Sequence, residues 1–305
     1  AREWYYKCLT SHRNCTQLSG VQTDGNRPSR LLDTTATQKN GLCGIRLVAT
    51  TTNVAYGYAC LSHRWDKAVE DCRTTTNNLG KRLGFIALAD LPTNFRDAVT
   101  IARNFNIQYL WIDSLCTVKS GDNKEDLLRE LAKMAFIYQN TQLTIAAVSS
   151  PNLSDGCFMN DRSADKALLV SKDADESHCI GARILDGKGQ FISIAEHYPL
   201  FTRGWVFEER LLSTRFLHCN YGEFEFECFQ LSTYECDPLI APHAGGTRKD
   251  KGKKAAQRSL RFTNNRGLFV KEVNTNSDHI VHYWRHVVQS YMELDLKKFG
   301  CSDMC

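Results

Sequence analysis

A chain of 305 residues, 42% hydrophobic and 24% charged, has the balance of a soluble globular protein and the length to bury its own core without staples. A formal charge of +4, without a dense basic stripe carrying interleaved aromatics, argues against a dedicated nucleic-acid binder. The thirteen cysteines are scattered, no apolar leader follows Ala1-Arg2-Glu3-Trp4, and no run approaches about 18 apolar residues; reduced thiols, a cytoplasmic location and no membrane span are expected.

In chain order, Trp4, Cys8 and His12 recur at helical spacing, which predicts a short helix within residues 1–20. Cys8-x3-His12-x2-Cys15 offers three metal-ligand side chains, but no CxxC or second His/Cys pair nearby completes a tetrahedral set. The segment is therefore read as a packing face, and no metal is assigned. Residues 20–45 read as loop, Ile45 to Val48 as a strand, and Ala55 to Ser62 as a buried strand ending in the polar tip His63-Arg64-Trp65-Asp66. Ligands of open parallel sheets bind beyond the carboxyl ends of strands, which marks this tip as the first place for a site.

Pro92 suits a first helical turn, and Phe95, Ala98, Val99, Ala102 and Phe105 form an apolar stripe that Asn106 closes. Tyr109 to Asp113 predicts a second buried strand, with Asp113, Ser114 and Cys116 at its polar end. Asp122-Asn123 with Glu125 resembles a capping signal before a helix on which Leu127, Leu128, Leu131, Met134, Ala135 and Tyr138 are expected to face one way. Leu143 to Val148 predicts a third strand. Strand, helix, strand, helix, strand is the order of a parallel α/β sheet. Short strands (Leu168–Val170, Gln190–Ile194) then suggest a β-rich insertion at about 157–202, followed by a helix over Gly204–Leu212 and strands over Thr214–Cys219 and Glu223–Cys228. The basic stretch 245–261 reads as a solvated loop, and 278–297 as an amphipathic helix. The divisions expected are 1–50, 51–235 and 236–305.

Six islands in order resemble the heterokaryon-incompatibility (HET) family. Tyr58-Ala59-Cys60-Leu61-Ser62-His63-Arg64-Trp65 is similar to its opening Y-x-x-L-S-[YH]-x-W block, and Leu91-Pro92-x-x-Phe95-Arg96-Asp97-Ala98 to the next. Tyr109 to Cys116 is the most distinctive. Glu130, Met134 and Tyr138, then Leu143 to Ala147, resemble the following helix and strand. Arg203-Gly204-Trp205-x-x-Glu208-Glu209-Arg210-Leu211-Leu212-Ser213 is similar to RGW-x-x-QERLLS. Arg64, Asp66 and Glu208 stand where Cys, Gly and Gln are usual. The chain also stops at Cys305, about where the family's sequences continue, so a piece of a longer protein is expected.

The resemblance implies a fungal protein of self/non-self recognition and cell-death signalling, working through protein partners or self-association. It also implies a distant TIR-like, Rossmann-like three-layer core, because Trp205-Val206-Phe207-Glu208-Glu209 resembles the TIR W-C-x-x-E element, whose glutamate is catalytic in NAD⁺-cleaving members. Glu209 then takes the catalytic position, with Glu208 second. Ser62, His63, Trp65, Asp113 and Trp205 are expected to bind substrate: Trp65 by stacking, Ser62 and Asp113 by hydrogen bonds to ribose or phosphate. No Gly-rich dinucleotide loop is present, so NAD⁺ enters as substrate and no cofactor is expected.

Each role has a plainer alternative. Glu209-Arg210 reads equally as a surface ion pair, the tryptophans as core anchors and Asp113 as a turn cap. A non-enzymatic interaction scaffold competes with the enzyme. A Cys/His hydrolase built on Cys60 or Cys116 with His63 lacks any surrounding nucleophile motif.

Overall fold

A computed structural model describes residues 1–16, 26–38, 41–51, 54–65, 67–119, 124–148, 150, 153–158, 168–172, 179–182, 199–220 and 223–235, with 284–285, 287–289 and 291–292. The expected strand at 190–194, the capping residues 122–123, Asp66 and the basic stretch 245–261 lie outside these residues.

The predicted N-terminal helix is two helices, α1 (Arg2–Ser11) and α2 (Arg13–Thr16). The break falls at His12, whose extended backbone (φ −92°, ψ 96°) turns the chain. Strands β1 (Arg30–Asp33) and β2 (Gly44–Ala49) follow, then β3 (Tyr58–Ser62), in which every residue is buried. Helices α3 (Lys67–Cys72) and α4 (Leu79–Gly84) lead to the short β4 (Ile86–Ala87) and to α5 (Thr93–Asn104).

Pro92 occupies the N-cap of α5, one position before the first turn, where its missing N–H costs nothing. The stripe Phe95, Ala98, Val99 and Ala102 is buried as its spacing requires. Asn106 ends the helix with φ 57°; its N–H donates to the Arg103 carbonyl (3.0 Å) and that of Ile107 to Ala102 (2.9 Å), a Schellman closure.

Next come β5 (Tyr109–Trp111), α6 (Asp113–Cys116), α7 (Glu125–Leu131), α8 (Met134–Gln139) and β6 (Leu143–Ala146); the one helix expected over Leu127 to Tyr138 is thus two, and Leu128 and Ala135 of its expected inner face are exposed. β7 (Leu168–Lys172) and β8 (Cys179–Ala182) pair antiparallel within the expected insertion. The described core ends with α9 (Gly204–Leu212), β9 (Arg215–Asn220), β10 (Glu223–Cys228) and β11 (Ser232–Tyr234). The described positions within 284–292 are helical, and Tyr291 meets Phe207 of α9 edge-on at 5.7 Å between ring centroids.

The architecture is α/β, and its main sheet is mixed rather than parallel throughout. Nine strands run in the order β11-β10-β9-β6-β3-β5-β1-β2-β4. The inner four, β9, β6, β3 and β5, are parallel; β10 and β11 flank them antiparallel on one side, and β1, β2 and β4 on the other. Connection length explains the pattern. Helices separate the inner strands in sequence and return the chain for parallel pairing, whereas two residues join β9 to β10 and permit only a hairpin. The sheet also runs across residue 50, where the sequence suggested a division. The larger of two apolar clusters among the described residues extends from Tyr5 to Phe229, and the smaller joins Ala146, Val148, Leu200, Phe201, Val206 and Phe216. Among the described residues no helix is long and apolar enough to cross a membrane.

Candidate functional site

β3 is the pivot of the parallel block. The chain leaves it for β5 on one side, passes back over it to β6 on the other, and continues outward to β9. Adjacent strands whose onward connections diverge leave a crevice at their carboxyl ends. Here those strands are β3 and β6, and Ser62 pairs with Ala146 at that end.

Alternation along β3 assigns the faces. Tyr58 Oη donates to the Ile137 carbonyl of α8 at 2.7 Å, and the Cys60 thiol lies 3.9 Å from the same oxygen. Ser62, two further on, therefore looks to the α8 side. α9 packs beside α8 and brings Glu209 to the same place. The hydroxyls of Ser62 and Tyr138 and the charge of Arg203 all favour the ionised Glu209 carboxylate, but burial outweighs them and pushes its pKa up to about 7. Asp113, a second carboxylate, pushes in the same upward direction. Ser62 Oγ and Glu209 Oε2 are both shut off from solvent and make no well-formed hydrogen bond.

His63 belongs to a second group. It meets Phe95 of α5 edge-on at 5.1 Å between centroids and stacks on Trp65 at 6.4 Å. Burial pushes its pKa down to about 4, although the Asp113 carboxylate opposes this, so the imidazole is neutral near pH 7. The Lys119 ammonium sits 3.7 Å above the Trp65 ring and pairs with Asp113 at 3.2 Å. Asp113 also accepts from the Thr117 hydroxyl at 3.1 Å. Asp113 thus bears on both groups.

The residues expected at a site fall out unequally. Ser62, Glu209 and Asp113 converge, His63 and Trp65 lie on the α5 side of the same strand tip, and Glu208 is exposed with its pKa raised only by partial burial. Trp205 is half-buried on α9, one turn before Glu208 and Glu209. Glu209 and Arg210 do not form a surface pair: the Arg210 guanidinium turns the other way, to Glu227 at 2.8 Å, both side chains being buried. Tyr138, Arg203 and Lys119 were not singled out as site residues. Tyr138 sits on a predicted apolar face and Arg203 inside a quoted motif, but Lys119 carried no signal.

Among the described residues neither Cys60 nor Cys116 pairs with the His63 imidazole. Cys60 and Cys116 lie against main-chain carbonyls, and burial raises both thiols, Cys116 to about 12 and Cys60 well above its usual value. Neither supplies a thiolate nucleophile.

Among families of known proteins, residues 58–209 match the model described as Heterokaryon incompatibility protein (HET). Curated proteins and solved structures yield no match.

Proposed function

The chain carries a heterokaryon incompatibility (HET) domain over residues 58–209 and so belongs to that family, and from this premise we propose that it acts in self/non-self recognition and cell-death signalling by cleaving NAD⁺ in a TIR-like manner at Glu209. The observation that supports the reading is the burial of the Glu209 carboxylate at the divergence of β3 and β6, beside Ser62 and Asp113. The alternation of β3, β5, β6 and β9 with helices fits a TIR-like core.

The chemistry asks little of the protein. As the bond between ribose C1′ and the pyridinium nitrogen breaks, its electron pair neutralises the nicotinamide, which leaves without a proton donor. Positive charge develops on the ribose, water adds to C1′ and one proton is released. Ionised Glu209 stabilises that charge, and a carboxylate in a dry site does so more strongly than one in water. Ser62 and Asp113 hold hydroxyls of the substrate. Trp65, already engaged by Lys119, and half-buried Trp205 supply apolar surface.

A scaffold reading competes on one specific observation: Ser62 Oγ and Glu209 Oε2 have no solvent contact, as in a purely structural polar cluster. The deciding experiment measures NAD⁺ loss with purified protein, with and without a crowding agent, for wild type and Glu209→Ala. NAD⁺ consumption that falls to background in a folded Glu209→Ala variant supports the enzyme. Absence of turnover in folded wild type under both conditions transfers the function to protein association.

A further inference from the structure

Four side chains outside that site meet where the N-terminal helices pack against the end of β10. Cys8 lies in α1, His12 at the break between the first two helices, Cys15 in α2, and Cys228 is the last residue of β10. Their ligand atoms all lie within 4.8 Å of one another, and His12 Nδ1 is 3.3 Å from Cys228 Sγ across 216 positions of sequence. The three cysteines are 0% exposed. The packing face read from Cys8-x3-His12-x2-Cys15 gains a fourth ligand that no inspection of neighbouring sequence reveals.

Local geometry explains the convergence. Cys8 and His12 are one helical turn apart, and the extended backbone of His12 turns the chain so that Cys15, whose N–H donates to the His12 carbonyl at 3.0 Å, faces back. β10 pairs with β9 and ends beneath them. In a tetrahedral site with bonds of about 2.3 Å to sulfur and about 2.0 Å to nitrogen, ligand atoms stand roughly 3.3–3.8 Å apart, so the cluster is close to that size. A disulfide cannot account for the set, because three thiols leave one over and the imidazole unused. Three thiolates around a dication carry one net negative charge, and a buried cation is in place: Arg215 of β9, 4% exposed, donates to the Cys15 carbonyl at 3.2 Å.

We propose that Cys8, His12, Cys15 and Cys228 bind one Zn²⁺ in a closed Cys₃His site that fastens the N-terminal helices to β10. Four protein ligands leave no open position, so the role is structural. Soft thiolates with one imidazole select zinc over magnesium or calcium.

The test uses the full 305-residue chain purified under reducing conditions. Mass-spectrometric metal analysis should find about one zinc per chain. Cobalt substitution should give the intense visible bands and thiolate charge transfer of a tetrahedral site. Cys228→Ser should lose most of the metal, His12→Cys should retain it with stronger charge transfer, and Cys43→Ser, at an exposed thiol outside the cluster, should leave it unchanged. The proposal is overturned by a folded wild type that takes up no zinc on reconstitution, or by a folded Cys228→Ser that keeps full zinc and an unaltered cobalt spectrum. Should the variants fail to fold, the wild-type stoichiometry and cobalt spectrum decide.

Discussion

Burial moves Glu209 and His63 in opposite directions, and the two shifts leave a recognisable pH signature. Glu209 rises from the usual 4.5 to about 7, so the folded chain keeps a proton that the unfolded chain has released. Its stabilising contribution is full below about pH 4.5 and is lost as pH rises through 7. His63 falls from 6.5 to about 4, so the unfolded chain takes up a proton first on acidification. Stability from that group is full above pH 6.5 and is lost as pH falls towards 4. Each shift corresponds to about 3 kcal/mol over its whole window. Between about pH 4.5 and 6.5 the slopes oppose, and wild-type stability should be nearly flat. Glu209→Gln removes one slope: the variant should gain stability over wild type near pH 8 and lose it steadily on acidification below 6.5. Urea unfolding at several pH values reads both effects, and curves that run parallel for the two proteins would sink the assignment.

At the scale of elements, α9 and β10 hold each other through buried charge. Arg210 of α9 donates to Glu227 from Nε at 2.9 Å, and His218 of β9 approaches the same carboxylate oxygen at 3.2 Å. Removing one member of a buried pair strands the other without water or partner, which typically costs about 3–5 kcal/mol. Glu227→Ala should therefore lower the urea midpoint sharply. Exposed Glu235, whose carboxylate accepts the Phe224 N–H at 3.2 Å at the surface, should cost far less when replaced by Ala. Similar small losses at both positions would refute a central role for the pair. The same elements set the catalytic geometry proposed above, because Arg210 turns one way from α9 while Glu209 turns the other.

Across the whole molecule, α1 closes the far face of β10. Trp4 packs against Phe226 at 6.5 Å between ring centroids, Tyr5 meets Phe105 edge-on at 5.3 Å, and Tyr5 and Phe226 are buried. Each large apolar side chain returned to water costs about 1.5–3 kcal/mol. Deleting residues 1–16 should lower Tm markedly by calorimetry even though it removes nothing from the family-matched region. An unchanged Tm would mean that the helices merely rest on the sheet.

The elements were legible in the sequence wherever local pattern dictates local structure. The period of α5 and its Asn106 closure, the apolar run of β3, the polar strand tips and the Trp205-to-Glu209 segment are properties of a few consecutive residues, and each of these elements stands where that pattern put it. Three things needed tertiary structure. The flanking antiparallel strands follow from short connections that say nothing about their partners until the sheet is assembled. Glu225 and Glu227 alternate with Phe224 and Phe226 as if one face met water, yet both glutamates are 0% exposed, because α9 brings Arg210 over that face. Cys228 joins Cys8, His12 and Cys15 only when β10 returns beneath the first helices. Periodicity is a local property of the chain, whereas electrostatic compensation and metal-sized clusters depend on which distant segments the fold makes neighbours.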